Sequence, residues 1–182
     1  MDREQKKELN DILFEAFYDN KSLNYVVKQD KKKDKRLKRL INYSIFMGEE
    51  FGKIYYFEKT CAILLYPEKK KVTLKSILWD LKLAVLVIGI SNIAKVLRKE
   101  KILKSHHPSE EFIHLWYIAT KEKGKGNGSK LLNRIVSEHQ DKKVYLETSN
   151  NRNLNFYKKN GFKIINTIPK SEISYDLYLF SN

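Results

Sequence analysis

The sequence predicts a mixed α/β chain (α+β) built on one layered sheet. Three observations predict it. The N-terminal part carries apolar residues at helical spacing. Short β-branched and aromatic runs bounded by Gly, Pro and polar turns recur after residue 52. The C-terminal half then alternates strand-like and helix-like stretches, the pattern of a layered sheet.

Leu9, Ile12, Leu13, Ala16 and Phe17 form one buried stripe of a helix over Leu9–Tyr18. Asp19-Asn20-Lys21-Ser22 reads as a polar turn. Lys31–Met47 repeats the helical pattern with Leu37, Leu40, Ile41, Ile45 and Phe46, and the basic run Lys28–Arg39 is its solvated face and approach. Gly48 and Gly52 bracket a break. Ile54–Phe57 and Cys61–Tyr66 are strands around a hairpin turn at Glu58-Lys59-Thr60, and Pro67 closes the second. Val72–Leu103 is helical and unusually apolar, one or two helices with a break at Gly89. After the loop His106-His107-Pro108-Ser109, Phe112–Thr120 is a strand. A Lys- and Gly-rich loop leads to a helix from about Gly126 to Glu138. Val144–Thr148 is a strand, Asn151–Lys159 a short helix ending at Asn160-Gly161, and Phe162–Ile168 and Ile173–Phe180 are final strands on either side of Pro169.

The 182 residues suit one domain, 1–182, without a linker or repeat. Hydrophobic residues make up 42%, enough for a core, and the 32% of charged residues is compatible with a folded chain. A single cysteine, Cys61, excludes a disulfide framework and paired-cysteine zinc sites, and points to a reducing, cytoplasmic setting. The longest apolar run, Leu83–Ile90, is far short of the ~20 residues a spanning helix needs, so no membrane partner is expected. Met1–Lys6 has no apolar core and is not a secretory signal. The net charge of +14 favours anionic partners: nucleic acid, acidic lipid or a polyphosphate cofactor. It does not choose among them.

Three of the 7 glycines fall at Gly124, Gly126 and Gly128, in Lys121-Glu122-Lys123-Gly124-Lys125-Gly126-Asn127-Gly128-Ser129-Lys130. The string sits between a strand and an amphipathic helix. Glycines let main chain approach a ligand, and a helix start offers unpaired N–H groups and a positive dipole end. Together these make a pyrophosphate cradle, with Lys123, Lys125 and Lys130 adding charge. The same spacing also fits a flexible loop before a helix. A Walker loop is excluded, because its Gly-Lys-Ser/Thr ending is missing. A Rossmann fingerprint wants an acidic residue about 20 positions on, which Glu147 approximates. The loop comes too late in the chain for further βα units to follow.

A second string, Tyr145-Leu146-Glu147-Thr148-Ser149-Asn150 through Asn153, Phe156-Tyr157 and Gly161-Phe162, completes the pattern. Together, in this order and spacing, the two strings resemble the GNAT N-acetyltransferase superfamily. The wording of the second is close to that of puromycin N-acetyltransferase-like members. The match is strongest over Phe112–Phe162. Lys123 stands where the family carries Arg or Gln, and supplies a point charge in place of a planar fork. The turn before it is about two residues shorter than the family's usual one.

The resemblance implies a central mixed, mostly antiparallel sheet flanked by helices and splayed at the acetyl-CoA-binding strands. It implies an acetyl-CoA-dependent N-acetyltransferase, without metal, in which a primary amine attacks the thioester directly in a ternary complex. The backbone of Ile118, Ala119 and Thr120 would take the pantetheine arm and the acetyl oxygen. Lys123, Gly124, Lys125, Gly126, Asn127, Gly128 and Ser129 would hold the pyrophosphate. Asn150 and Asn153 would bond the cofactor near its arm, although Asn150 is also placed to cap a helix. Tyr157 would protonate the leaving thiolate, its reference pKa of about 10 lying close to that of an alkyl thiol; plain packing against the sheet is the alternative. His114 is the candidate base, with Glu111 and Glu147 or a water chain as alternatives. His106 and His107 lack a spaced partner for a metal.

Selection of the amine acceptor would fall to Phe14–Tyr25 and Val72–Leu103, where Phe17, Tyr18, Tyr25 and Trp79 either wall a pocket or fill core. A strongly basic protein is poorly matched to a polycationic acceptor. A monomer or homodimer is expected. Two alternatives differ in class: a GNAT-fold regulator that binds CoA without turnover, and a basic nucleic-acid-binding module using Lys28–Arg39. The second lacks a fold signature and aromatic strand platforms.

Overall fold

A computed structural model describes all 182 residues. Helix α1 (Arg3–Phe17) opens with a capping box: Asp2 accepts from the Gln5 N–H at 2.8 Å, and Gln5 accepts from the Asp2 N–H at 3.2 Å. The expected polar turn holds at Asp19-Asn20, but Lys21 and Ser22 already open a short helix, α2 (Lys21–Val26). Asn20 caps it by accepting from the Leu23 N–H at 3.0 Å. Helix α3 (Lys33–Phe51) buries Leu37, Leu40, Ile41 and Ile45 against α1 and the sheet, and leaves Lys35 and Lys38 in solvent.

Strands β1 (Gly52–Phe57) and β2 (Thr60–Leu65) form the predicted hairpin. Its turn residues Glu58 and Lys59 both hold left-handed backbone, at φ 48° and 56°, the geometry of a tight two-residue turn. Gly52 is fixed by space: a Cβ there would lie 1.8 Å from the Leu64 carbonyl oxygen.

The apolar stretch becomes two helices, α4 (Leu74–Leu83) and α5 (Ile93–Lys104), joined through a wide turn at Ala84–Ile88, Gly89 and a tight turn at Ile90–Asn92. The arms bend by 95° at this joint. The break falls at the predicted glycine, whose φ of +76° favours a residue without a Cβ.

The second half alternates β3 (Phe112–Thr120), α6 (Asn127–Glu138), β4 (Lys143–Thr148), α7 (Leu154–Lys159), β5 (Lys163–Ile168) and β6 (Leu177–Ser181). The expected strand Ile173–Phe180 is shorter. Lys170–Ile173 is one helical turn, stopped by Ser174 at φ +69°, and the strand begins only at Leu177. Ile173 and Tyr175 are buried there without strand pairing.

One six-stranded sheet results, in the order β1-β2-β3-β4-β6-β5. Every neighbouring pair is antiparallel except β3 and β4, which are parallel. A parallel pair needs a crossover, and α6 supplies it. Helices cover both faces. Cys61, Ile63, Tyr117 and Ala119 face α1 and α3. Ala62, Leu64, Leu115, Val144 and Leu146 face the opposite layer, with Leu132 and Ile135 of α6 and Tyr157 of α7. This is the mixed, mostly antiparallel and helix-flanked sheet that the family resemblance implies.

Candidate active site

Strand β3 pairs with β2 from His114 to Thr120, but with β4 only over Phe112–Leu115 opposite Lys143–Leu146. Beyond Leu115 the main-chain edge turned away from β2 has no strand opposite it. A bulge marks the point of departure. Ile63 pairs with Tyr117 and Leu64 with Leu115, which leaves Trp116 as the extra residue. A bulge bends its strand and increases local twist, so β3 swings away from β4. The result is a wedge whose one wall is the β3 edge turned away from β2 along Trp116–Thr120, where alternate residues present their N–H and C=O. Such an edge offers N–H and C=O groups to an extended ligand. Ile118, Ala119 and Thr120 lie along this stretch, the main-chain groups of Ala119 facing the edge opposite to those of its two neighbours. Their side chains are otherwise engaged: Ala119 is buried against the helical layer, and the Thr120 hydroxyl accepts from Thr60 at 2.9 Å.

The glycine loop sits at the open end of that edge. Gly124 and Gly126 hold left-handed backbone, at φ +81° and +78°, and a Cβ on either would meet nothing within 4 Å. Their surroundings are therefore open. Gly126 caps α6 with no side-chain bond, and the first backbone bond of the helix runs from the Lys130 N–H to the Gly126 carbonyl at 3.0 Å. The N–H groups of Asn127, Gly128 and Ser129 consequently have no partner inside the helix. Those donors, the dipole end of a twelve-residue helix and the exposed Lys123 fit a diphosphate. Lys125 is less free, because it is paired with Glu122 at 3.0 Å. A Cβ on Gly128 would meet the Phe156 ring of α7 at 3.5 Å, an ordinary contact, so space alone does not demand glycine there.

Tyr157 is 6% exposed, packed with Phe162 and Phe180 on the α6 face of the sheet. Burial alone pushes its phenol pKa upward. Its hydroxyl makes no hydrogen bond, yet it is absent from the set of sealed, partnerless atoms, which comprises Asn24 Oδ1, Tyr145 Oη, Glu147 Oε1 and Ser149 Oγ. The ring is core, and the oxygen reaches accessible space. Asn150 accepts from the Arg152 N–H at 3.1 Å and caps the turn Asn151–Asn153, which leaves its amide nitrogen uncommitted. Asn153 is half-buried with a free side chain.

His114 lies on the opposite face, because side chains alternate along β3. It belongs to a cluster that sequence reasoning saw only in part. Its Nε2 is 3.8 Å from Oε1 of Glu147, and Nε2 of His107 is also 3.8 Å from that oxygen. Tyr145 packs edge-on to His107, with ring centres 5.4 Å apart, and its hydroxyl is sealed and partnerless. Burial lowers the His114 pKa, and the attraction of Glu147 does not overcome it, so the imidazole is neutral near pH 7. Burial would raise the carboxyl of Glu147; His107, His114 and Lys99 outweigh it and hold the group below its ordinary value. Lys99 reaches in from α5 and donates to Ser22 of α2 at 2.7 Å, and burial lowers its pKa. A neutral imidazole beside a carboxylate can accept a proton and stabilise the cation that results.

Other candidates lie elsewhere. Glu111 is exposed and paired with Lys142 at 2.9 Å, at the end of β3 remote from the wedge. Trp79 stacks on Phe46, Phe17 packs on Tyr117 and the Tyr18 hydroxyl bonds Asp34, so these three serve packing. Tyr25 alone of the four aromatics borders the cluster, 6.0 Å from the Lys99 ammonium. His107 and Lys99 carried no signal in the sequence, since three distant segments meet only in the fold. No three His, Cys, Asp or Glu side chains converge as metal ligands.

A sheet wedged open at its one parallel pair, with a glycine-capped helix at the mouth, is shaped for an extended ligand that ends in a diphosphate. Residues 87–164, which include both motifs, match the family model described as an acetyltransferase (GNAT) domain. The whole chain is similar to the histone acetyltransferase HPA2 and related acetyltransferase from Corynebacterium glutamicum, at 21% identity and a TM-score of 0.73 over 100% of this chain and 92% of that one. It is similar to an N-acetyltransferase from Staphylococcus aureus, at 15% identity and a TM-score of 0.59 over 98% and 96% of the two chains. A further likeness is to arylalkylamine N-acetyltransferase 2 from Aedes aegypti, at 11% identity and a TM-score of 0.60 over 100% and 95%. Residues 87–164 thus resemble the GNAT acetyltransferase domain, and the whole chain shares the fold of these solved acetyltransferases.

Proposed function

We propose that this protein is an acetyl-CoA-dependent N-acetyltransferase acting on a primary amine by direct attack in a ternary complex. The observation that carries the reading is the wedge between β3 and β4, because it joins the two faces of the sheet at one point. The neutral His114 lies on one face and Tyr157 on the other. A thioester threaded between the strands would have a base on its acceptor side and a phenol on its thiol side.

Acetyl-CoA supplies the activated acetyl group. The N–H groups of Asn127, Gly128 and Ser129, with Lys123, would hold its diphosphate. The edge Trp116–Thr120 would bond the pantetheine amides and offer an N–H to the oxygen on which charge develops. His114 takes a proton from the incoming ammonium, and Glu147 steadies the imidazolium. Tyr157 gives its proton to the leaving sulfur; its raised pKa keeps that proton in place until a strong base forms beside it. Holding both reactants in contact accounts for much of the remaining acceleration. The reaction as read uses no metal, and a cytoplasmic setting fits the single reduced thiol.

Calorimetry with acetyl-CoA, followed by thiol release over a panel of amines, tests the reading. Saturable binding with acceptor-dependent thiol release is the expected result. Absence of binding overturns the assignment. Binding without release for any amine would favour a CoA-binding regulator, a reading supported by the depth at which the Tyr157 ring is packed.

A further inference from the structure

The helical insert presents an unusual surface. Of thirteen exposed large hydrophobic side chains in the protein, nine lie between Val72 and Leu97. On α4 they follow helical spacing. Ser76, Trp79 and Leu83 turn inward, with Trp79 and Leu83 against the α3 layer, whereas Leu74, Ile77, Leu78, Leu81 and, one turn on, Val85 point outward. Leu74 is 83% exposed, and Ile90, beyond the bend, is 78% exposed. A helix apolar on its outer as well as its inner face has a partner still to meet.

The charges around the stripe are mostly basic. Residues 69–104 hold ten Lys and Arg against Asp80 and Glu100. Asp80 is occupied by the Tyr43 hydroxyl at 2.7 Å. Lys70, Lys71, Lys82, Arg98, Lys101 and Lys104 have no carboxylate partner. The basic Lys28–Arg39 segment is fastened to the same joint: the Lys28 N–H donates to the Val87 carbonyl at 3.0 Å, and Arg36 donates to that of Leu86 at 2.8 Å.

We propose that the outer face of α4 and the 84–90 joint docks on an anionic lipid surface, with the leucine stripe in the headgroup–acyl boundary and the flanking lysines on acidic headgroups. An exposed leucine stripe on the outer face of a helix, bordered by lysines without carboxylate partners, is the make-up of a segment that lies in an anionic interface. A second copy of the chain is the poorer occupant. A twofold contact would bring together two copies of one predominantly basic surface in a chain of net charge +14. No single helix is long and apolar enough to cross a membrane, but a docking face needs no spanning segment. The inference does not depend on the catalytic reading.

Co-sedimentation of the full chain with phosphatidylcholine vesicles, with and without phosphatidylserine, tests it. Binding is expected only with phosphatidylserine, and raising salt from about 0.1 to about 1 M should release the protein. Leu78→Glu/Leu81→Glu, both at exposed positions, should weaken binding by about tenfold or more with an unchanged unfolding midpoint. Lys70→Glu/Lys71→Glu, which leaves the stripe intact, should also weaken it and serves if the first variant misfolds. Wild-type binding by either folded variant overturns the proposal, since adsorption would then need only one of the two features. So does absence of binding to the acidic vesicles. If sedimentation equilibrium then shows a dimer that Leu78→Glu/Leu81→Glu dissociates, the stripe is an interface between copies.

Discussion

Nε2 of His114 stands 3.8 Å from Oε1 of Glu147, at the rung where β3 and β4 cease to pair. Burial lowers the pKa of the imidazole and the carboxylate pulls it back, so the two residues set the acid limb of any reaction in which His114 accepts a proton. That limb in kcat/KM should lie below the ordinary imidazole value of about 6.5. Glu147→Gln removes the raising influence and should move the limb to still lower pH while reducing turnover. His114→Gln should lower kcat by about 10²–10⁴-fold and abolish the limb. A pH–rate profile with an NMR titration of the histidines reads both. A limb that stays in place in His114→Gln assigns the base to another group.

Tyr157→Phe separates a phenolic acid from a packing aromatic. The hydroxyl has no protein partner, so its removal leaves nothing unsatisfied, and the unfolding midpoint should hold or rise slightly. Turnover should fall by about 10²-fold or more, with the acetyl-CoA dissociation constant unchanged within about twofold. Because burial raises the phenol pKa, loss of the acid form should not limit the wild-type rate below about pH 10. Equal losses in kcat and affinity would reassign Tyr157 to binding.

Gly126 and Gly161 form a matched pair. Both hold left-handed backbone, at φ +78° and +87°, and neither has an atom within 4 Å of where a Cβ would stand. Alanine at either should cost about 1–2 kcal/mol of stability, from backbone conformation alone. Only Gly126 caps α6 at the proposed diphosphate cradle. Gly126→Ala should therefore weaken acetyl-CoA binding by about tenfold or more, and Gly161→Ala should not. Calorimetry beside thermal unfolding distinguishes a lost binding surface from a strained turn. Equal affinity in the two variants removes the cradle from the mechanism.

The sheet and its wedge were unequally legible in the sequence. β3 is found at its predicted bounds, and the helix after the glycine loop begins within a residue of its predicted start, because strand alternation and a glycine before an amphipathic run are local signals. The turn expected over Asp19–Ser22 runs two residues into helix α2, because Asn20 is both a turn former and an N-cap, and six residues give too little periodicity to mark a helix. Ile173 and Tyr175 alternate like a strand but are buried by packing, with no ladder. The bulge at Trp116 was invisible, since it is a mismatch with β2 and not a property of β3. The same holds for Lys99 and His107: a buried lysine and a loop histidine acquire meaning only when α5, its following loop and β4 bring them to Glu147.

The same cluster makes the fold sensitive to acid. His114 has a folded pKa below its unfolded value of about 6.5, so the unfolded chain binds the proton more readily as pH falls through that value. Glu147 has a folded pKa below its unfolded value of about 4.3, and its stabilisation, complete above that value, is lost as pH drops below it. The two effects have the same sign and act in succession. The denaturant midpoint should decline from about pH 7 to 5 through His114, then more steeply towards pH 4 and below through Glu147. His114→Gln should flatten the first part of the decline and leave the second. A midpoint independent of pH between 7 and 5 in the wild type would mean that His114 is as readily protonated folded as unfolded, and would place the imidazole in water instead of against the sheet.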